Sequence, residues 1–135
     1  MSLNALRRGL EEVVAQEPGF VELRFHRKTS RSAVVENGRV ENAAVRRRGG
    51  VGVRVIENGC FGFASCGTAD PAEVRRAIER AKVAARKSAE RRVDKLPPLP
   101  AAGLVRGHFE TPGVEECESR PFEAKVELVR ATEAR

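Results

Sequence analysis

GGVGVRVIENGCFGFASCG, residues 49–67, is the stretch whose reading decides the fold. Three readings compete for it: a glycine-rich phosphate cradle, a cysteine-bearing metal site, or a piece of sheet. Its period separates them. Val51, Val53 and Val55 recur at every second position, as on one face of a strand. Asn58-Gly59 then turns the chain, since both residues tolerate positive φ and favour a tight type I′ hairpin. Phe61 and Phe63 line one face of the strand that follows. A phosphate cradle would place its glycines between a strand and the helix whose N-terminus faces the anion. Here they alternate with valines inside a strand, and no lysine follows in the nucleotide-loop pattern. Gly50 and Gly52 are expected to relieve crowding beneath a helix or a neighbouring strand.

The same device lies just upstream. In FVELRFHRK, Val21, Leu23 and Phe25 alternate with Glu22, Arg24 and His26, as in a half-buried strand. SAVVENGRVENAAVRRR continues the alternation around Asn37-Gly38, so the two ENG turns echo each other at a spacing of 21 residues. Four or five strands joined by short turns are expected, in an antiparallel meander.

Helices flank this region. In SLNALRRGLEEVVAQ, Leu3, Leu6, Leu10 and Val13 recur at helical spacing, with Ser2 or Asn4 as the expected cap and Pro18-Gly19 as the stop. DPAEVRRAIERAKVAARKSAERR has stronger signals. Asp70 suits the N-cap, Pro71 falls at N1, and Glu73 at N3 completes a variant capping box. Val74, Ala77, Ile78, Ala81, Ala84, Ala85 and Ser88 form a shallow inward stripe suited to close packing on a sheet. The expected fold is therefore α+β and two-layered, a mainly antiparallel meander packed against two helices.

The chain then divides. Residues 1–95 make up this α+β domain, and residues 96–120 read as a connector, with KLPPLPAAG too rich in proline for helix or interior strand. GLVRGHFETPGV reads as a short extended arm. Residues 121–135, PFEAKVELVRATEAR, read as the start of a further helix with Phe122, Val126 and Val129 along one side. It stops after about four turns, as in a chain cut inside a larger protein or a helix that docks on a partner subunit. Charge follows the same division. Residues 1–95 carry 20 Lys or Arg against 12 acids, and residues 96–135 carry 5 against 7.

The 135 residues suffice for one domain with a modest core, at 41% apolar residues and a net charge of +6. No apolar run reaches spanning length, and the N-terminus lacks a secretory pattern. Three cysteines, none in a CxxC element, suit a reducing cytoplasm.

Little in the chain suggests chemistry of its own. His26 and His108 lie on opposite sides of the proline connector, and neither belongs to an HExxH element. Cys60 and Cys66 share a strand face by parity and read as small apolar groups. Arg46, Arg47 and Arg48 run together, and Arg75, Arg76, Arg80, Lys82, Arg86 and Lys87 decorate the second helix. No aromatic platform interleaves them, so a solvated face is favoured over a nucleic-acid surface. No residue is assigned a catalytic, cofactor-binding or metal role.

The order of features resembles the N-terminal domain of the TldD/PmbA proteins, metallopeptidases also called modulators of DNA gyrase. VELRFHRKTSR, VVENGRVENAAVRRRGGVGVRVIENGCFGFASCG and DPAEVRRAIERAKVAARKSA carry the resemblance, most specifically from Glu36 to Ala64. Where the family commonly has Asp-Pro-Phe, this chain has Arg120-Pro121-Phe122. The resemblance implies a longer parent in which one branch of the family binds zinc through a downstream HExxxH element. It implies two-subunit assembly, homomeric or with a related subunit, and trimming of unfolded peptides, as in microcin maturation and antitoxin degradation. This chain is then expected to be a non-catalytic N-terminal domain or fragment, holding no cofactor, that supports assembly and peptide access. The gyrase name describes a genetic effect and does not argue for DNA binding. The alternative expectation is a free-standing module that binds a protein or, less favoured, nucleic acid.

Overall fold

The computed structural model describes residues 3–97, 99, 107 and 109–133. In chain order the elements are α1 (Leu3–Ala15), β1 (Val21–Glu36), β2 (Arg39–Glu57), β3 (Cys60–Cys66), α2 (Pro71–Ala89), α3 (Val114–Ser119) and α4 (Phe122–Glu133). The strands form one antiparallel sheet of order β1-β2-β3 packed against helices, the expected α+β class. Two compact units divide the chain: residues 1–28 with 48–100, and residues 29–47 with 101–135.

Among the described residues there are three strands, fewer than the four or five expected. The arms at 21–28 and 32–36 belong to one strand of 16 residues, and those at 39–48 and 49–57 to one of 19. Thr29, Ser30 and Arg31 carry no strand-breaking chemistry, and Gly49-Gly50 stay out of the positive-φ region. Both ENG turns do break the chain. Asn37 and Gly38 have φ of 51° and 72°, and Asn58 and Gly59 have 50° and 73°, as type I′ turns require.

In the first unit, Leu10 and Val13 of α1 meet Val51, Val53 and Val55 of β2 and Val74, Ala77, Ile78, Ala81 and Ala85 of α2 in one core. Leu6, Val21, Leu23 and Phe25 pack against its rim. Leu3, at 58% exposure, lies outside it, and Asn4 sits within the helix instead of capping it. The other expected cap, Ser2, lies outside the described residues. Lys82 ties the helices together. Its Nζ donates to Glu17, just beyond α1, at 2.6 Å and to Glu79 at 2.9 Å.

The helix α2 begins as its sequence requires. The Asp70 carboxylate accepts from the Ala72 and Glu73 N–H groups at 3.1 Å each, and Pro71 fills the first position. Its inward stripe differs at one end from the expected one: Ala84 and Ser88 are exposed and Ala89 is buried. Small side chains let the helix backbone close on β3. A Cβ built on Gly62 would stand 1.9 Å from the Ala81 carbonyl oxygen. Gly62 is therefore the glycine that the helix needs. Gly50 instead abuts the Cys66 backbone, as expected of a neighbouring strand, whereas Gly52 meets nothing nearer than Arg24 O at 3.9 Å.

In the second unit, the Asn37-Gly38 turn is tied to the end of α4, with the Gly38 N–H donating to the Glu133 carboxylate at 2.8 Å. The helix α4 follows Pro121, whose carbonyl accepts from Lys125 N at 3.3 Å. Phe122 and Val126 are half-buried, whereas Leu128 and Val129 are exposed. Lys125 Nζ donates to the carbonyl of Cys117 on α3. Part of the expected extended arm, GLVRGHFETPGV, lies outside the described residues, at 103–106 and 108, and α3 starts at its final valine.

Candidate functional site

The hairpin count decides which side chains face away from the helices. A two-residue turn at Asn58-Gly59 pairs Glu57 with Cys60, so Val55 pairs with Gly62, Val53 with Ala64 and Val51 with Cys66. These residues look toward α2. Ile56 pairs with Phe61, Arg54 with Phe63 and Gly52 with Ser65 on the opposite face. The phenylalanines therefore line the outer surface of the sheet, and Phe63 is 65% exposed. This arrangement follows from counting two turn residues and then alternating, a step that the sequence reading left untaken.

Arg54 organises the outer face. Its guanidinium lies 5.9 Å from the Phe20 ring centroid and 5.4 Å from that of Phe61, in cation–π range of both. Phe61 and Phe63 are themselves tilted neighbours at 6.0 Å. The Glu22 carboxylate binds both Arg24 and Arg54. The Arg24 guanidinium, aided by Arg54, holds the Glu22 carboxyl below its usual 4.5 against the opposing effect of burial. The buried Arg54 Nε has no hydrogen-bond partner.

Gly52 leaves an open floor beside these groups. A hollow of about 240 Å³ is bounded by Glu22, Arg24, Gly52, Arg54, Phe63 and Ala64. A second, of about 400 Å³, continues over Gly49, Gly50 and Gly52 between His26 and Ser65. Both are shallow surface hollows of mixed polarity, suited to side chains of an extended ligand.

The rim of the sheet adds backbone chemistry. In an antiparallel pair, alternate residues spend their N–H and C=O groups on the partner strand. The pairs closing from the Asn58-Gly59 turn use those of Cys60, Gly62, Ala64 and Cys66. Phe61, Phe63 and Ser65 consequently direct theirs away from β2, along an edge. Arg80 caps one group there, donating to Ser65 O at 2.9 Å.

The other sequence candidates fall elsewhere. Gly49, Gly50 and Gly52 lie within β2 and not in a loop that joins a strand to a helix. Cys60 is buried and Cys66 half-buried on the helix-facing side, where the Cys66 thiol donates to Thr68 O at 3.1 Å. His26 is exposed, and His108 lies outside the described residues. No group of three His, Cys, Asp or Glu that could hold a metal exists among the described residues, so these residues do not fit a zinc site. On α2, Arg75 reaches Gln16, Arg76 binds Glu73, Arg80 binds Ser65 O, and Lys82 and Arg86 pair with acids. That engagement suits an internally compensated helix face more than a phosphate-binding one. No helix among the described residues is long and apolar enough to cross a membrane.

Comparison with known proteins places this geometry. Residues 21–85 match the family model described as PmbA/TldA metallopeptidase domain 1. That interval takes in the three strands and most of α2. The fold is also similar to a crystal structure of TldE from Thermococcus kodakarensis, with a TM-score of 0.60 and 23% identity. The match covers 89% of this chain and 25% of that one, so the chain spans about a quarter of the length of the structure it resembles. No curated protein matches. Over residues 21–85, just under half of the chain, the protein therefore matches the first domain of the PmbA/TldD family.

Proposed function

We propose that this chain is a non-catalytic N-terminal part of a TldD/PmbA-type zinc peptidase. Residues 1–95 form its supporting α+β domain, residues 96–120 connect, and residues 121–135 begin a further helix. The domain supports assembly with a like or related subunit and guides unfolded peptide toward a zinc centre supplied downstream, in the cytoplasm. The observation behind this reading is the edge of β3. Phe61 and Phe63 direct backbone donors and acceptors outward beside hollows floored by Gly52. An extended peptide pairing there gains main-chain hydrogen bonds, while alternate side chains reach the hollows. Sequence-tolerant capture of this kind suits an enzyme that handles unfolded peptides.

The test places a photo-crosslinking amino acid at Phe63 in the zinc-loaded parent and maps products with an unfolded peptide by mass spectrometry. Crosslinks at position 63, lost under competition by excess unlabelled peptide, are expected. Labelling restricted to regions outside β3 refutes the role of this edge. The intact mass of the cellular protein separates this reading from that of a free-standing module, which requires a mass near 14.8 kDa.

A further inference from the structure

We propose that Asn37 is a site of spontaneous deamidation and that Glu133 restrains it. Asn-Gly is the dipeptide in which this chemistry meets the least steric resistance. The glycine backbone nitrogen, after losing its proton to hydroxide, attacks the asparagine Cγ and expels the side-chain nitrogen as ammonia. Water then opens the resulting succinimide, leaving aspartate or isoaspartate. The net change is amide plus water to carboxylic acid plus ammonia, with no oxidant or cofactor.

The chain holds two such dipeptides in nearly the same conformation and the same tripeptide context, Glu36-Asn37-Gly38 and Glu57-Asn58-Gly59. Local sequence therefore gives them similar intrinsic reactivity, and structure makes them unequal. A type I′ turn fixes the peptide plane, so attack on Cγ requires the turn to open.

Opening is harder at Asn58. Cys60, which closes that turn, is buried in the first unit. Gly59 is also covered by a later segment, with Leu96 N–H donating to Gly59 O at 2.8 Å. A Cβ at Gly59 would come within 2.7 Å of the Lys95 Cβ, so that cover is close. At Asn37, by contrast, both closing residues, Glu36 and Arg39, are exposed. The restraint there is the Gly38 N–H, which donates to the Glu133 carboxylate at 2.8 Å. That bond acts on the reacting atom itself. It holds the proton that must leave and places a negative charge where the nitrogen would become an anion. Deamidation in turn replaces a neutral amide with a carboxylate in the turn that Glu133 holds, and the isoaspartyl product lengthens the backbone there. Modification at Asn37 thus releases the end of α4 from the hairpin.

The experiment incubates the intact chain at mildly alkaline pH and follows both sites by peptide mapping with isoaspartate detection. Wild-type protein is expected to lose Asn37 about tenfold faster than Asn58, as befits the lower cost of opening an exposed turn. Glu133→Ala should accelerate loss at Asn37 several-fold and leave Asn58 unchanged, whereas Glu133→Gln, which keeps an acceptor without the charge, should fall between. In concentrated urea the two rates should converge. Equal rates in the folded protein, no response to Glu133→Ala, or a difference that persists in urea would each overturn the proposal.

Discussion

Replacing Gly62 by alanine tests the close approach on which the first unit depends. The added Cβ would sit 1.9 Å from Ala81 O, 2.8 Å from Ala81 C and 2.9 Å from Ala85 Cβ. A carbon and a carbonyl oxygen in contact ordinarily lie roughly 3.3–3.6 Å apart. The backbone of α2 must therefore retreat by more than about 1 Å, because a carbonyl within a helix cannot swing aside like a flexible side chain. Retreat loosens Ala77, Ile78, Ala81 and Ala85, which are fully buried. Overpacking of this kind costs about 1–3 kcal/mol and occasionally more, and the involvement of main-chain atoms puts Gly62→Ala at about 3 kcal/mol. The lower unfolded-state entropy of alanine offsets roughly 0.5–1 kcal/mol of that. A net loss near 2 kcal/mol corresponds to a fall in Tm of about 8–16 °C for a domain of this size. Gly52→Ala is the matched control. It lies on a neighbouring strand, and its Cβ meets only Arg24 O at 3.9 Å, so its stability should stay within about 0.5 kcal/mol of wild type. Urea and thermal unfolding followed by far-ultraviolet circular dichroism would measure both. A Gly62→Ala protein as stable as Gly52→Ala would refute the argument.

Other perturbations test separate contacts. Lys82→Met removes the cation shared by Glu17 and Glu79. It should cost about 1–3 kcal/mol, because Glu17 is left with only 14% of its side chain exposed. Its hydrogen bonds to the Glu17 carboxylate, then to that of Glu79, raise the Lys82 pKa above 10.5, so its contribution is full below that value and fades as pH rises through the folded-state pKa. An alkaline stability titration should therefore show a loss that Lys82→Met lacks. Asp70→Ala removes both acceptor contacts at the start of α2 and should lower stability by about 1 kcal/mol in urea unfolding.

Features set by a few adjacent residues were the ones legible in the sequence. Asp70 followed by Pro71 fixes the start of α2 through groups within three residues. Asn-Gly fixes each turn through its own φ angles. Parity placed Val51, Val53 and Val55 together for the same reason. Legibility ended where a distant partner decides. Nothing between Thr29 and Arg31 announces that two strand-like arms are one strand, because continuity depends on pairing with β2. Gly50, Gly52 and Gly62 look alike in sequence, and only the position of Ala81 on a later helix singles out Gly62. The outer face was partly recoverable, since the two-residue turn dictates which residues oppose Val55. What parity could not supply was the site's chemistry. Arg54 sits between Phe20 and Phe61, and Glu22 joins it to Arg24, only because three strands bring residues from 20 to 63 together.

The edge of β3 also bears on solubility. CFGFASC contains no charged residue and no proline over its seven residues, and its two aromatic side chains, Phe61 and Phe63, are flanked by small ones. Such a segment on an unpaired edge is a template for joining a second sheet, which is how native-state aggregation begins. Two features limit that outcome. The strand is short, and Arg80 places a cation at its Ser65 end while occupying one of the edge acceptors. Crowded or concentrated solutions should therefore be hardest on protein lacking the Arg80 guanidinium, even where its folded stability is unchanged.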